Sequence, residues 1–498
     1  MPRDRVIVIG AGIGGLVSAA QLAARGMRVS VLESADYPGG KMREIDIYGQ
    51  GIDSGPTVFT MRWIFEDLFS DAGASLSDYL RLQPLEIIAR HAWSEHERLD
   101  LFADHERSIE AIGDFAGAAE ARGYRAFSEQ ARIIYETLDE TFIRATRPSI
   151  LGLVGRCGIR GFGNLSGIKP YDSLWQTLGQ YFKDERLRQL FGRYSTYCGS
   201  SPFESPATLM LIAHVEQQGV WSIEGGMHQL ACALERLAQE HGAEFRYGTR
   251  VEEILVEHGR ATGVRLADGE IVQADAVVFN GDPAALSAGH LGTTATKALP
   301  GHGRATRSLS AITWSLVAKT EGFPLARHNV FFSRDYAAEF KDLFHHARLP
   351  GEGTLYICAQ DRGTELDGNS TEGERLFCLL NAPARGDVHP FDASEIDQCE
   401  QRVFSLLERY GLRVCKRTQQ TQVTTPARFD QLFPATGGAL YGQATHGWRA
   451  SFNRPGSRTR IQGLYLAGGS THPGAGVPMA AMSGRLAANC LFEDLGST

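Results

Sequence analysis

Residues 5–33 read RVIVIGAGIGGLVSAAQLAARGMRVSVLE, and this stretch restricts the fold more than any other. Val6–Ile9 is short and wholly apolar, as a strand buried on both faces must be. Gly10-x-Gly12-x-x-Gly15 follows without a gap. In such a motif the first glycine makes the tight turn and the second lets a pyrophosphate approach the backbone. The third lets the following helix pack closely on the strand. The pattern predicts a helix to about Arg25 capped by Gly26, then a second strand Arg28–Leu32 ending at Glu33. An acidic residue at that distance hydrogen-bonds a ribose 2′-hydroxyl and repels a 2′-phosphate. Strand, loop, helix, strand and carboxylate agree on a dinucleotide site, with NAD and FAD both open at this point.

A second glycine pair, Tyr37-Pro-Gly-Gly-Lys41, and then Asp53-Ser-Gly-Pro-Thr57 come soon after. This arrangement resembles FAD proteins of the glutathione-reductase and amine-oxidase type, whereas NAD dehydrogenases run on into further βα units. Near the other end the chain reads LAGGSTHPGAGVP (466–478), with an apolar stretch beyond it. Ile461–Ala467 is expected to be a buried strand, Gly468–Val477 a loop, and Pro478 the start of a helix. The positive end of that helix would face charge gained by a flat ring resting on the glycines.

Between these ends, residues 90–220 read mainly helical. Residues 244–283 read as strands with turns at His258-Gly259 and Asp268-Gly269, and the apolar run Ala276–Phe279 returns to the first sheet. SLSAITWSLVAKT, HNVFFSRD, GTLYICAQ and RLFCLLNAP are candidate antiparallel strands. Asp392 is placed to cap a helix that ends near Tyr410. The expected class is α/β: a discontinuous Rossmann-type FAD-binding domain (1–85, 220–290 and 455–498) with an inserted α+β substrate domain. That insert divides into a helical, membrane-facing part (86–219) and an antiparallel sheet (291–454). At 498 residues the chain is long enough for this.

Composition excludes some partners. The formal net charge of -8 gives no basic face for nucleic acid. The eight cysteines are scattered with no CxxC pair, which argues against a metal site or a disulfide framework and fits a reducing cytoplasm.

Taken together, IDSGPTVFTMRWIFEDLF (52–69) and GLYLAGGSTHPGAGVPMAAMS (463–483) resemble the bacterial carotenoid desaturase family, and the likeness runs along essentially the whole chain. RLRQLFGRYSTYCGSSPF, GVWSIEGGMHQLACALERLA and VVFNGDPAAL further resemble those members that insert a C3–C4 double bond into 1-hydroxylated acyclic carotenoids. The resemblance implies FAD as cofactor and a carotenoid as substrate. It implies that Gly10, Gly12, Gly15 and Glu33 hold the ADP half, that Gly40, Lys41 and Gly55 lie near the pyrophosphate and flavin, and that Val251 meets the adenine. Gly468, Gly469 and Val477 would line the flavin ring. Lys41 stands where arginine is commoner, which keeps the charge and loses the bidentate fork. The acidic residue that many FAD folds carry after the C-terminal strand glycine is absent, and Ser470 stands there.

A carotenoid C–H is too weakly acidic for simple proton abstraction. Hydride transfer to the flavin N5 leaves an allylic cation, and proton loss then completes the double bond. His472, in the last glycine loop, is the candidate catalytic residue, set against the plainer reading of a loop histidine that holds backbone. Asp53 and Glu224 are equally readable as structural, and Trp221, Tyr194 and Phe191 as the lining of an apolar tunnel or, more plainly, as core. The electron acceptor, oxygen or a quinone, is open. The substrate lives in a bilayer. Thr141–Tyr171, with five Arg/Lys and no Asp or Glu, is expected to make a peripheral contact on the cytoplasmic side of the inner membrane. Other readings are a phytoene-type desaturase or isomerase, and an FAD-free lipid-binding protein on the same fold.

Overall fold

Alternate residues of the first strand face different layers, and this positions the nucleotide-binding half. Val6 and Val8 pack against helices Ile13–Ala24, His228–Glu240 and Val477–Gly496. Ile7 and Ile9 pack instead on an antiparallel meander of Val251–Glu257, Arg260–Leu266 and Ile271–Gln273. The computed structural model describes residues 4–146, 172–300, 305–363, 373–447 and 450–496.

The strand Arg5–Ile9 is central in a five-stranded parallel sheet. Its order is Leu464–Leu466, Ala276–Phe279, Arg5–Ile9, Arg28–Leu32, Glu244–Arg246. One sheet is therefore assembled from the two ends and the middle of the chain. The first and last helices approach closely because small residues meet there. Ser18 Oγ lies 2.8 Å from Gly14 O and 3.0 Å from Gly484 O, and a Cβ on Gly484 would lie 2.3 Å from Gly14 O. The turns expected at 258–259 and 268–269 are present, with His258, Gly259 and Gly269 all at positive φ.

The second body is an eight-stranded sheet running Leu412–Cys415, Ser310–Gly322, Glu374–Ala382, Leu355–Ala359, His328–Phe331, Ile87–Ala92, Arg98–Phe102, with Thr421–Thr424 also paired to Ser310–Gly322. The helical reading from residue 90 needs correction at its start. Ile87–Ala92 and Arg98–Phe102 form a hairpin that joins this sheet, with Ile87–Ala92 parallel to His328–Phe331. The pairing partner lies more than 200 residues away, so no local pattern announces it. Helix Ala393–Arg409 covers one face, with the expected Asp392 cap completed by Glu395 as a reciprocal capping box. Helices Ala118–Leu138, Leu174–Tyr181 and Glu185–Gly192 pack against the other face around Phe127, Phe182 and Phe191.

Candidate functional site

The two glycine-rich loops meet. A side chain on Gly14 would lie 2.7 Å from both Gly468 N and Asn280 Oδ1. Asn280 directly follows the strand Ala276–Phe279, and its Nδ2 donates to Gly10 O at 3.2 Å, so it bridges the first loop and the last. Gly10 has φ +97, and a Cβ on Gly15 would lie 2.1 Å from Gly10 O. Gly39 N donates to Ala11 O at 2.8 Å, and Gly40 is so near that its Cβ would lie 3.1 Å from Gly12 Cα. A Cβ on Gly55 would lie 1.9 Å from Lys41 O. The approaches of Gly14 to Gly468, Gly15 to Gly10, Gly40 to Gly12 and Gly55 to Lys41 are between backbones, and only glycine permits them.

Around them lies a cavity of ≈590 Å³. Gly10, Gly12, Glu33, Gly40, Lys41, Gly55, Val251, Gly468, Gly469 and Val477 all line it. Gly15 does not, and sits instead at the helix–strand contact. The first helix begins at this cavity with Gly12 as N-cap and no acidic residue in its first turn, so its dipole is not neutralised by its own side chains. Glu33 is fixed at the strand end, its Oε2 accepting from Ala11 N at 2.7 Å and its Oε1 from Ala35 N at 2.8 Å. Lys41 Nζ donates to Leu440 O at 2.7 Å, and burial lowers its pKa.

Two residues outside the glycine motifs support the site: Asp282 lines the cavity, and Arg454 braces the last loop. Asp282 caps helix Pro283–Ser287 and accepts from Ser470 Oγ at 2.6 Å. The carboxylate missing after the last strand glycine is thus supplied from another segment. Arg454 donates to Tyr441 O and Gly469 O, both at 3.1 Å, and to Gln443 O at 3.0 Å, tying down the last loop. VVFNGDP holds the clue for Asp282, since it ends a returning strand as the first loop does.

The catalytic candidate His472 is corrected. It does not line the cavity. Its Nε2 lies 2.8 Å from Ala145 O and its ring packs edge-on against Phe142 at 4.9 Å. Burial pushes its pKa down to about 4. It serves as a buried strut beneath the loop. Asp53 is structural as well, accepting from Met227 N at 2.7 Å and His228 N at 3.1 Å. Glu224 is exposed and lies 3.7 Å from Arg81 in an ion pair. Phe191 and Tyr194 are core, and Trp221 sits in a short strand paired with Leu82–Pro84. Of the basic segment 141–171, residues 147–171 lie outside the described residues. Arg144 is exposed, with Nε 3.1 Å from Asp139 and its guanidinium over Trp63.

Among the described residues His91, His328 and His472 are buried, which favours their neutral forms. Desolvation lowers His91 and His328 to about 3 and His472 to about 4, against 6.5 in the unfolded chain. Between those values the unfolded state binds more protons, so stability is full above pH 6.5 and falls as pH drops toward 4. A tenfold difference in proton affinity between the two states is worth about 1.4 kcal/mol. Thermal midpoints measured from pH 7.5 to 5 are expected to fall, and His472→Asn to flatten that fall.

A glycine-lined backbone cradle, an open helix start and an acidic strand end fit a dinucleotide with a flat ring. The model of the flavin-containing amine oxidoreductases matches residues 13–492. The chain belongs to the flavin-containing amine oxidoreductase family. FAD is its cofactor, and it is an oxidoreductase. It is 55% identical over 495 residues to the hydroxyneurosporene desaturase of Rubrivivax gelatinosus, covering 99% of this chain and 94% of that one. It is 45% identical to the hydroxyneurosporene desaturase of Cereibacter sphaeroides, covering 99% and 98%. An oxidoreductase from Methanosarcina mazei has a similar fold, with a TM-score of 0.60 at 20% identity over 98% of this chain and 100% of that one. The two hydroxyneurosporene desaturases bear out the carotenoid-desaturase resemblance along the chain. Among the described residues no helix is long and apolar enough to cross a membrane, and no group of side chains is arranged to hold a metal.

Proposed function

We propose that this protein is an FAD-dependent carotenoid desaturase that introduces a C3–C4 double bond into 1-hydroxylated acyclic carotenoids. The observation that carries this reading is a cavity lined both by the glycine cradle and by apolar side chains, among them Val58, Ile212, Phe377, Leu379 and Phe433. FAD, when bound, supplies the hydride acceptor. The residues of this chain position and enclose. In this reading Gly10, Gly12 and Gly40 give backbone to the pyrophosphate, Glu33 takes the ribose, Val251 the adenine edge, and Gly468, Gly469 and Val477 the ring. Lys41 and Gly55 lie between the two halves. The start of helix Val477–Gly496 faces the ring wall, where its dipole favours negative charge. In this reading the apolar side chains of the lining exclude water and align a long hydrocarbon, which is the main requirement of a hydride transfer.

The substrate is a membrane lipid, so the chain has to reach one face of a bilayer. We assign that contact to 141–171, on the cytoplasmic side of the inner membrane, with oxygen or a quinone as terminal acceptor. The test presents 1-hydroxyneurosporene, neurosporene and phytoene in anionic liposomes, with and without oxygen. The hydroxylated substrate is expected to gain one double bond, with protein sedimenting with the vesicles. Turnover of phytoene in its place overturns the substrate reading.

A further inference from the structure

Arg193 is the unexplained charge in this cavity. It opens the helical turn Arg193–Cys198 and lines the cavity beyond the glycine cradle. Its guanidinium carbon lies 5.5 Å from the Tyr197 ring centroid and 5.4 Å from that of Tyr356. Its hydrogen bond to Tyr197 Oη is long, at 3.5 Å. Among the described residues no carboxylate forms an ion pair with it. The two buried carboxylates that also line the cavity take their hydrogen bonds from hydroxyls, and Glu339 Oε1 has no partner among the described residues. Glu216 accepts from Tyr194 Oη at 2.8 Å and Tyr197 Oη at 2.7 Å, and Glu339 accepts from Ser333 Oγ and Thr354 Oγ1, both at 2.7 Å. Burial raises the pKa of both, which favours their neutral forms.

An arginine stays charged and carries five donors in a fixed fork. Desolvating such a group without partners is costly. Two tyrosine faces offset part of that by cation–π attraction and hold the fork in place, but they leave donors free. A purely hydrocarbon ligand gives those donors nothing. Position adds a constraint: Tyr356 Oη lies 2.6 Å from Thr57 Oγ1 and 2.7 Å from His328 Nδ1. Thr57 is two residues past Gly55, on the turn expected beside the flavin. The free donors therefore sit close to the turn expected beside the flavin, and the oxygen of a C1 hydroxyl is three bonds from C3.

Resting on the functional reading above, we propose that Arg193 recognises the substrate's tertiary hydroxyl, donating to its oxygen, and so selects hydroxylated over unhydroxylated carotenoids. Tyr197 and Tyr356 act as positioning residues for the guanidinium. A site built to hydrogen-bond a hydroxyl rejects the analogue without it, because its own donors are then left unpaired.

The test measures kcat/KM for 1-hydroxyneurosporene and neurosporene in liposomes with wild type, Arg193→Met and Arg193→Gln, each checked for flavin absorbance and thermal midpoint. A charged hydrogen bond is worth about 10- to 100-fold here. Arg193→Met is expected to lose about that factor on the hydroxylated substrate and to hold or gain on neurosporene, so that the preference collapses. Arg193→Gln keeps one donor and much of the stem, and covers the case in which the methionine variant fails to load flavin. Its preference is expected to fall by less. Equal losses on both substrates, or an unchanged preference in either folded variant, overturn the proposal. A wild type that turns over both substrates but prefers neither also overturns it, while leaving desaturation itself standing. A wild type that desaturates neither overturns the functional reading, and this proposal with it.

Discussion

Gly14→Val is expected to purify without flavin. Its side chain would start 2.7 Å from Gly468 N and 2.9 Å from Gly468 Cα, and 2.7 Å from Asn280 Oδ1. The first two are backbone atoms of the opposite loop and cannot swing aside as a side-chain tip would. The cost of forcing a methyl-sized group into a filled contact is about 1–3 kcal/mol or more. Here it falls on the joint that shapes both ends of the cofactor cradle. The first and last helices would also be pushed apart, since Gly14 O receives Ser18 Oγ and faces Gly484. The readout is the ratio of flavin to protein absorbance in purified protein, with Gly351→Ala as control. Gly351 has no atom within 4 Å of its would-be Cβ. Normal flavin content in Gly14→Val would show that the loops do not touch as described.

The second large effect is on stability. Asp53→Ala is expected to lose roughly 3–5 kcal/mol, because two backbone N–H groups, the buried one of Met227 and the partly buried one of His228, lose a carboxylate acceptor together. Those groups start helix His228–Glu240, which packs on the parallel sheet. The backbone of Asp53 is also bonded both ways to Gln360, with Asp53 N donating at 3.0 Å and Gln360 Nε2 donating to Asp53 O at 2.9 Å. One residue thus ties the DSGPT turn, a helix start and the large sheet. Denaturant unfolding reads the loss. The pH profile of kcat for the folded fraction is expected to be unchanged, and a profile that loses a limb would instead make Asp53 a catalytic base.

Much of the cofactor end is legible because it is encoded locally. Gly10, Gly12 and Gly15 mark a turn and a helix contact within six residues, Glu33 ends the next strand, and Asp392 with Glu395 writes a helix start in four. The same local patterns pass over Gly14, an unspecified position of the motif, whose constraint comes from Gly468 some 450 residues later. They mark Asp282 only through the end of a returning strand, and carry no sign of Arg454, whose targets are carbonyls of two loops. Position in a glycine loop favours His472, yet the side chain turns away from the cavity toward Phe142 and Ala145. The hairpin of Ile87–Ala92 and Arg98–Phe102 reads as helix because its pairing partner is His328–Phe331.

By itself, then, the sequence determined the dinucleotide half: short-range turn geometry, strand alternation and caps depend on residues within one or two turns of each other. The motifs they frame carry the resemblance that pointed to FAD and the family. Only the tertiary structure decided which side chains share the cavity. That depends on strand register and helix packing between segments hundreds of residues apart, where a rotation of one residue exchanges an inward side chain for an outward one. Arg193 facing the cavity and His472 facing away are the two outcomes that turned on it.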